Sequence, residues 1–281
     1  MQDLFDHLDF TISHIEKTNQ YLHGKQLNSI QFFSAALLER LSKTSKGLKV
    51  LLSNINTNQD LEFSCGIILR SALLDILIVQ NLYKILIENE ESSKSEAEKE
   101  EIVKEFCDTM LADGLENTAK YIKAAKDVNI INQEQLTESY KNFVRKYQKF
   151  FETYPNDGSV PKPKYNFYSP DKLFKRLANT PKLKELAKIY DSYLFFSKYD
   201  HFGILYYETS RQSHPEKLNR IRRGIELFIG TQAILHLAIR MYSGNDAFLN
   251  EQSNIASKYL DEKILNPITT TNPNNNEGTI H

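Results

Sequence analysis

The chain has 281 residues, 41% of them hydrophobic and 25% charged, with a formal net charge of −1. That length can bury a sizeable core, and the near-zero charge gives no bulk attraction to nucleic acid or to an anionic membrane. Cys65 and Cys107 are the only cysteines, too few for a secreted disulfide framework or a cysteine-built zinc site.

Long proline-free stretches carry apolar residues at three- and four-residue spacing. They predict helices over residues 3–22, 27–54, 60–89, 96–126, 132–152, 170–179, 182–209, 215–243 and 245–261. The N-terminus reads Met-Gln-Asp-Leu-Phe-Asp, with no basic or apolar leader pattern. The most apolar helices are interrupted by Gln80, Asn81 and Lys84, and by Gln232 and His236, so no membrane span is expected. Alternating strand patterns bounded by Asn-Gly or Asp-Gly turns are nearly absent, and no repeat stands out. The expectation is a cytoplasmic all-α helical bundle. Residues 1–265 would form one helical domain, with a sub-boundary near 153–169, where Pro155, Pro161 and Pro163 interrupt any helix. Residues 266–281, rich in Asn, Thr and Pro, would be a disordered tail.

Charge is segregated along the chain. Lys141 to Lys188 holds 12 basic and 4 acidic residues, whereas Glu88 to Glu116 holds 11 acidic and 3 basic. The two segments can simply be solvated faces, or meet each other within a monomer or a dimer. Alternatively the basic one faces a polyanion, with Tyr165, Phe167 and Tyr168 beside Lys162 and Lys164 as stacking groups.

The stretch from Ile189 to Gly203 carries the densest chemistry. Tyr193, Ser197 and His201 recur every fourth residue, so on a helix a phenol, a hydroxyl and an imidazole share one face. Leu194, Phe195 and Phe196 between them predict a half-buried helix. A buried polar ridge needs partners, and Arg70, within the apolar run Cys65 to Val79, is a candidate. Arg70 is either a structural partner of Asp75 or another buried carboxylate, or an anion clamp presenting its fork to phosphate or carboxylate. His201 has the pKa range for acid–base work, with Ser197 one turn away as a hydroxyl. A serine hydrolase is not expected, because no oxyanion-hole motif accompanies the pair.

Tyr190, Tyr193, Ser197 and His201 match a Tyr-x2-Tyr-x3-Ser-x3-His pattern, and the earlier helix reads Leu69-Arg70-Ser71-Ala72-Leu73-Leu74-Asp75. In both respects the chain resembles a family of uncharacterised bacterial helical proteins, which carries Arg-Ser-x-x-Glu on that earlier helix. The acid here is Asp75, five residues after the arginine rather than four, about 140° round an ideal helix. The helical character and the Arg and His content are also similar to the HEPN group of metal-free helical ribonucleases, which act in a dimer cleft. No arginine here precedes a histidine by five to seven residues, so a HEPN-like pair would be assembled from elsewhere, such as Arg70 with His201. The resemblance implies RNA or a nucleotide as ligand and a homodimer as the assembly.

Phosphate-loop, dinucleotide, nucleophile-elbow and zincin motifs are absent from the sequence. His7 and His14 lie seven apart and His236 stands alone in an apolar helix, so neither a metal site nor a cofactor is expected. His236 and Arg240 are one turn apart and read as a helix-packing hydrogen bond. Arg220, Arg222 and Arg223, near a predicted helix start where their sign opposes the helix dipole, point either to an anion or acidic neighbour or to a plain solvated face. Two functional expectations follow. In one, Arg70, Ser197 and His201 act on a phosphate-bearing ligand, with Asp75, Tyr193, Lys162, Lys164 and Tyr165 in its binding. In the other, the chain is a non-catalytic interaction protein with a protein partner, and its polar ridge only fixes helix register.

Overall fold

A computed structural model describes residues 1–151, 160–165, 168–183, 189–197 and 211–266. The fold is all-α. The described helices are α1 (Gln2–Leu22), α2 (Ser29–Asn54), α3 (Leu61–Glu90), α4 (Glu96–Leu111), α5 (Leu115–Asp127), α6 (Gln133–Lys146), α7 (Pro170–Ala178), α8 (Ile189–Ser197), α9 (His214–Met241) and α10 (Ala247–Leu260). Among the described residues there is no strand, only an isolated bridge between Phe151 and Pro163. No described helix is long and apolar enough to cross a membrane.

Several helix starts are written in local chemistry. Ser95 and Glu98 form a reciprocal capping box at α4, as do Asn132 and Gln135 at α6, each satisfying amide donors that the first turn leaves open. Asn28 and Gln31 do the same at α2, with amide-to-side-chain bonds of 3.0 and 2.8 Å. Ser169 caps α7, with Pro170 at its first position. At α9, Glu216 accepts from the Ser213 amide at 3.0 Å and its hydroxyl at 2.8 Å. A carboxylate in that first turn also has the right sign for the helix dipole.

Two expected helices are shorter than their periodicity suggested. The span 96–126 is two helices, because Gly114 adopts a left-handed φ of 79° that ends the first run and caps the second. The span 132–152 stops at Lys146 and continues only as a 3-10 turn over Gln148–Phe150. Of 182–209, the described part holds a single 3-10 turn, Pro181–Leu183, and then α8. The expected tail lies outside the described residues from 267 onward, as do residues 152–159 of the proline-rich connector.

Chain proximity divides the molecule into two compact units, with seams inside α2, α3 and α8. The first unit comprises Met1–Lys25, Leu37–Ala72 and the chain from Phe196 onward. In it α1, α9 and α10 pack on one another, around a core that includes Leu8, Ile15, Leu48, Leu69, Ile225, Phe228 and Leu235. Gly224 lets α9 approach α3 closely, since a Cβ there would sit 2.9 Å from Leu69 Cδ2.

The second unit comprises Gln26–Ala36 and Leu73–Phe195. Leu77, Val79 and Leu82 of α3, Val103 of α4, and Leu173 and Leu177 of α7 are fully buried there. Asn81, polar in this apolar helix, donates to the Leu77 carbonyl at 2.9 Å and to the Leu173 carbonyl at 3.1 Å. The side chain is thereby partnered and ties α3 to α7. A separate cluster of Ala119, Leu136 and Tyr140 holds α5 against α6.

Candidate functional site

Arg70 lies on α3 beside fully buried Leu69 and is itself half-buried, as is Asp75. On α8, Tyr190, Tyr193 and Ser197 are half-buried, Phe195 and Phe196 are buried, and Leu194 is turned outward at 43% exposure. The half-buried helix expected from the Leu-Phe-Phe run is therefore present, with its leucine on the wet side. Arg70 and Ser197 fall in the first unit, Asp75 and Tyr193 in the second. His201 and Phe167 lie outside the described residues.

The two tyrosines of the motif continue an aromatic ladder. The Phe174 ring of α7 stacks on Tyr190 at 4.6 Å, and Tyr190 stacks on Tyr193 at 5.7 Å, with planes within 16°. Burial, then the nearby Asp171 carboxylate, pushes the Tyr190 phenol above its ordinary value, so this phenol stays protonated at neutral pH and can donate a hydrogen bond.

The basic segment is answered inside the second unit. Lys149 bonds the buried Asp108 carboxylate at 3.0 Å and Ser29 at 3.1 Å. Glu116 is held below the usual carboxylate range first by Lys120, at 2.7 Å, with Lys162 contributing through its charge. Lys162 and Lys164 are exposed, but Tyr165 is half-buried, edge-on to Phe150 at 6.3 Å and packed on a core cluster with Leu115, Val144 and Phe151. Burial, and next the Asp108 charge, raises its phenol. Tyr165 thus spends its ring on packing beside acidic α4, where the sequence suggested a displayed stacking group.

Two polar clusters in the first unit were not legible as such. His236, on α9, donates from Nδ1 to the Gln232 carbonyl at 2.8 Å and accepts at Nε2 from Thr18 of α1 at 2.9 Å. It does complete a helix-packing hydrogen bond, but with Thr18 and Gln232. His14 takes its place beside it, with ring centres 4.5 Å apart and a bond to the Gln232 side chain. Burial drives His236 down to about 3 and His14 down to about 4, so both are neutral bases built into a helix interface. The second cluster centres on buried Glu62 of α3, which accepts from His214 and, at 3.1 Å, from Lys217, both on the first turn of α9. Of the alternatives open for the arginine cluster, Arg222 has an acidic neighbour, Asp3, at 2.7 Å.

Cys65 and Cys107 are free and buried. Burial, and secondarily Glu62, raises the Cys65 thiol to about 12, and burial raises Cys107 as well, so neither supplies a thiolate at neutral pH. Among the described residues, no group of three or more His, Cys, Asp or Glu side chains is arranged to hold a metal ion. Compared with known proteins, the chain matches no family model, no curated protein and no solved structure.

Proposed function

We propose that this chain is a cytoplasmic, HEPN-like helical protein that binds a phosphate-bearing ligand, RNA or a nucleotide, and cleaves it when it acts as an enzyme. Arg70 is the anion clamp, Tyr193 and Asp75 orient the ligand, and Ser197 and His201 supply the hydroxyl and the acid–base group. One observation carries the reading: the Arg70 guanidinium, a planar five-donor fork, is held half-buried on α3, between fully buried Leu69 and Leu73. Support comes from Tyr193 and Ser197, which are half-buried one turn apart on α8. The assembly in this reading is a homodimer.

The test compares single-stranded RNA binding and cleavage by the wild type, Arg70→Leu and His201→Ala. Loss of binding in the first variant, and retained binding without cleavage in the second, is expected. RNA binding that survives Arg70→Leu undiminished contradicts the clamp.

The second reading, a non-catalytic interaction protein, is favoured by the internal pairing of the charged segments. Lys149 is spent on Asp108, and Tyr165 on the core around Phe150, which leaves less of the basic segment to face a polyanion.

A further inference from the structure

The second unit holds a cleft of about 260 Å³, lined by the end of α3, the turn that follows it, α4, Tyr168 and α7. Arg176 stands on its wall between two rings, with the guanidinium centre 4.9 Å from Tyr168 and 5.7 Å from Phe106. Cation–π contact holds the planar fork by its faces and leaves the N–H groups at its edge available. Among the described residues nothing accepts from them: the Arg176 guanidinium has neither an ion pair nor a hydrogen bond.

Lys94, exposed on the same wall, is a second cation with no ion pair among the described residues. The acids of the cleft do not cancel the two. Glu88 is engaged by Lys84, which leaves Glu105, exposed and paired with neither cation. The rest of the lining is mainly polar, and what it offers is acceptors. Ser92 donates its hydroxyl to the Asn89 carbonyl at 2.8 Å, and Thr109 donates to the Glu105 carbonyl at 2.7 Å. Each hydroxyl therefore has only lone pairs left to give, and the Glu105 carboxylate also only accepts. Cations suited to an oxyanion and acceptors suited to hydroxyl groups thus line one cleft.

We propose that this cleft is a binding site for a small sugar phosphate, whose phosphate is held by the Arg176 fork with Lys94 and whose hydroxyls donate to Glu105, Ser92 and Thr109. A phosphate monoester carries a charge of about −1.5 to −2 at neutral pH, which matches two unpaired cations better than a single carboxylate does. The planar fork also meets two phosphate oxygens at once. In this arrangement Glu105 meets a hydroxyl donor instead of the anion. The volume calls for a compact ligand, since drug-sized molecules fill pockets of about 300–1,000 Å³. The site is separate from Arg70 and His201 and does not depend on the reading given to them.

Calorimetric titration of the full chain with ribose 5-phosphate tests it. The comparison ligands are butyl phosphate, which lacks the hydroxyls, gluconate, which carries a carboxylate for the phosphate, and inorganic phosphate. The expected result is saturable binding of ribose 5-phosphate, with each comparison ligand at least about tenfold weaker. Arg176→Gln should lower the affinity at least about tenfold by removing the fork. Lys94 is exposed, so Lys94→Gln keeps the fold; it should weaken binding by about threefold and reduce its salt dependence. That variant decides the matter if Arg176→Gln does not fold. No detectable binding of ribose 5-phosphate at about 10 mM overturns the proposal, and so does binding indifferent to Arg176→Gln or to Lys94→Gln. Equal binding of butyl phosphate, gluconate or inorganic phosphate overturns it as well, because the cleft would then be a plain anion site.

Discussion

At the scale of single residues, burial has fixed the protonation of the two histidines between α1 and α9. Burial is the main cause for each; Lys17 adds to it for His14, and His14 for His236. Both folded-state values, about 4 and about 3, lie below the ordinary 6.5. Below pH 6.5 the unfolded chain therefore takes up protons that the folded chain refuses, and stability falls as pH falls. The loss should run from pH 6.5 down to about 4 for His14, and on to about 3 for His236. Each histidine contributes up to about 1.4 kcal/mol per pH unit within its window. Tm measured from pH 7 downward should decline before the carboxylates titrate, and His236→Leu should remove part of that slope. A flat Tm over this range would contradict a neutral, buried pair. The sequence showed His236 alone in an apolar helix, enough to assign it to packing. Thr18, which completes its bonding, is 218 residues away, and no local pattern carries that information.

At the scale of elements, the helix starts were the most legible feature. Ser95 with Glu98, Asn132 with Gln135, and Ser169 before Pro170 state a cap in the residues themselves. Replacing Ser95 with Ala should cost about 1 kcal/mol, read as a lower urea midpoint with unchanged slope. Breaks without proline were the hardest to see. Leu111, Ala112 and Leu115 keep a helical spacing across Gly114, so apolar periodicity runs straight through the point where the backbone turns left-handed. Gly114→Ala should destabilise by about 1 kcal/mol or more, because a Cβ is strained at that φ although space is free around it. An unchanged urea midpoint would show that the turn between α4 and α5 tolerates a side chain. In α8 the spacing of Tyr193 and Ser197 was readable, and so was the burial of Phe195 and Phe196. The stacking of Tyr190 on Phe174 was not, because it depends on how α7 and α8 come to lie together.

At the scale of the whole molecule, the segregation of charge along the sequence differs from its distribution in space. The acidic run ending at Glu116 and the basic run from Lys141 both belong to the second unit, where Lys149 meets Asp108 and the charge of Lys162 reaches Glu116. Lys162, Lys164 and Lys172 keep exposed side chains and are the residues through which any polyanion attraction should pass. Changing all three to Ala should flatten the salt dependence of RNA binding, by up to about one unit of log–log slope for each phosphate no longer neutralised. An unchanged slope in a filter-binding series would place the attraction elsewhere. The central claim, a phosphate-bearing ligand recognised through Arg70, is tested most directly by titrating the wild-type chain with single-stranded RNA at low and at moderate salt. Binding that is measurable at low salt and weakens steeply with added salt is the expected result. No detectable binding at low salt would contradict RNA recognition and leave the interaction protein as the better account.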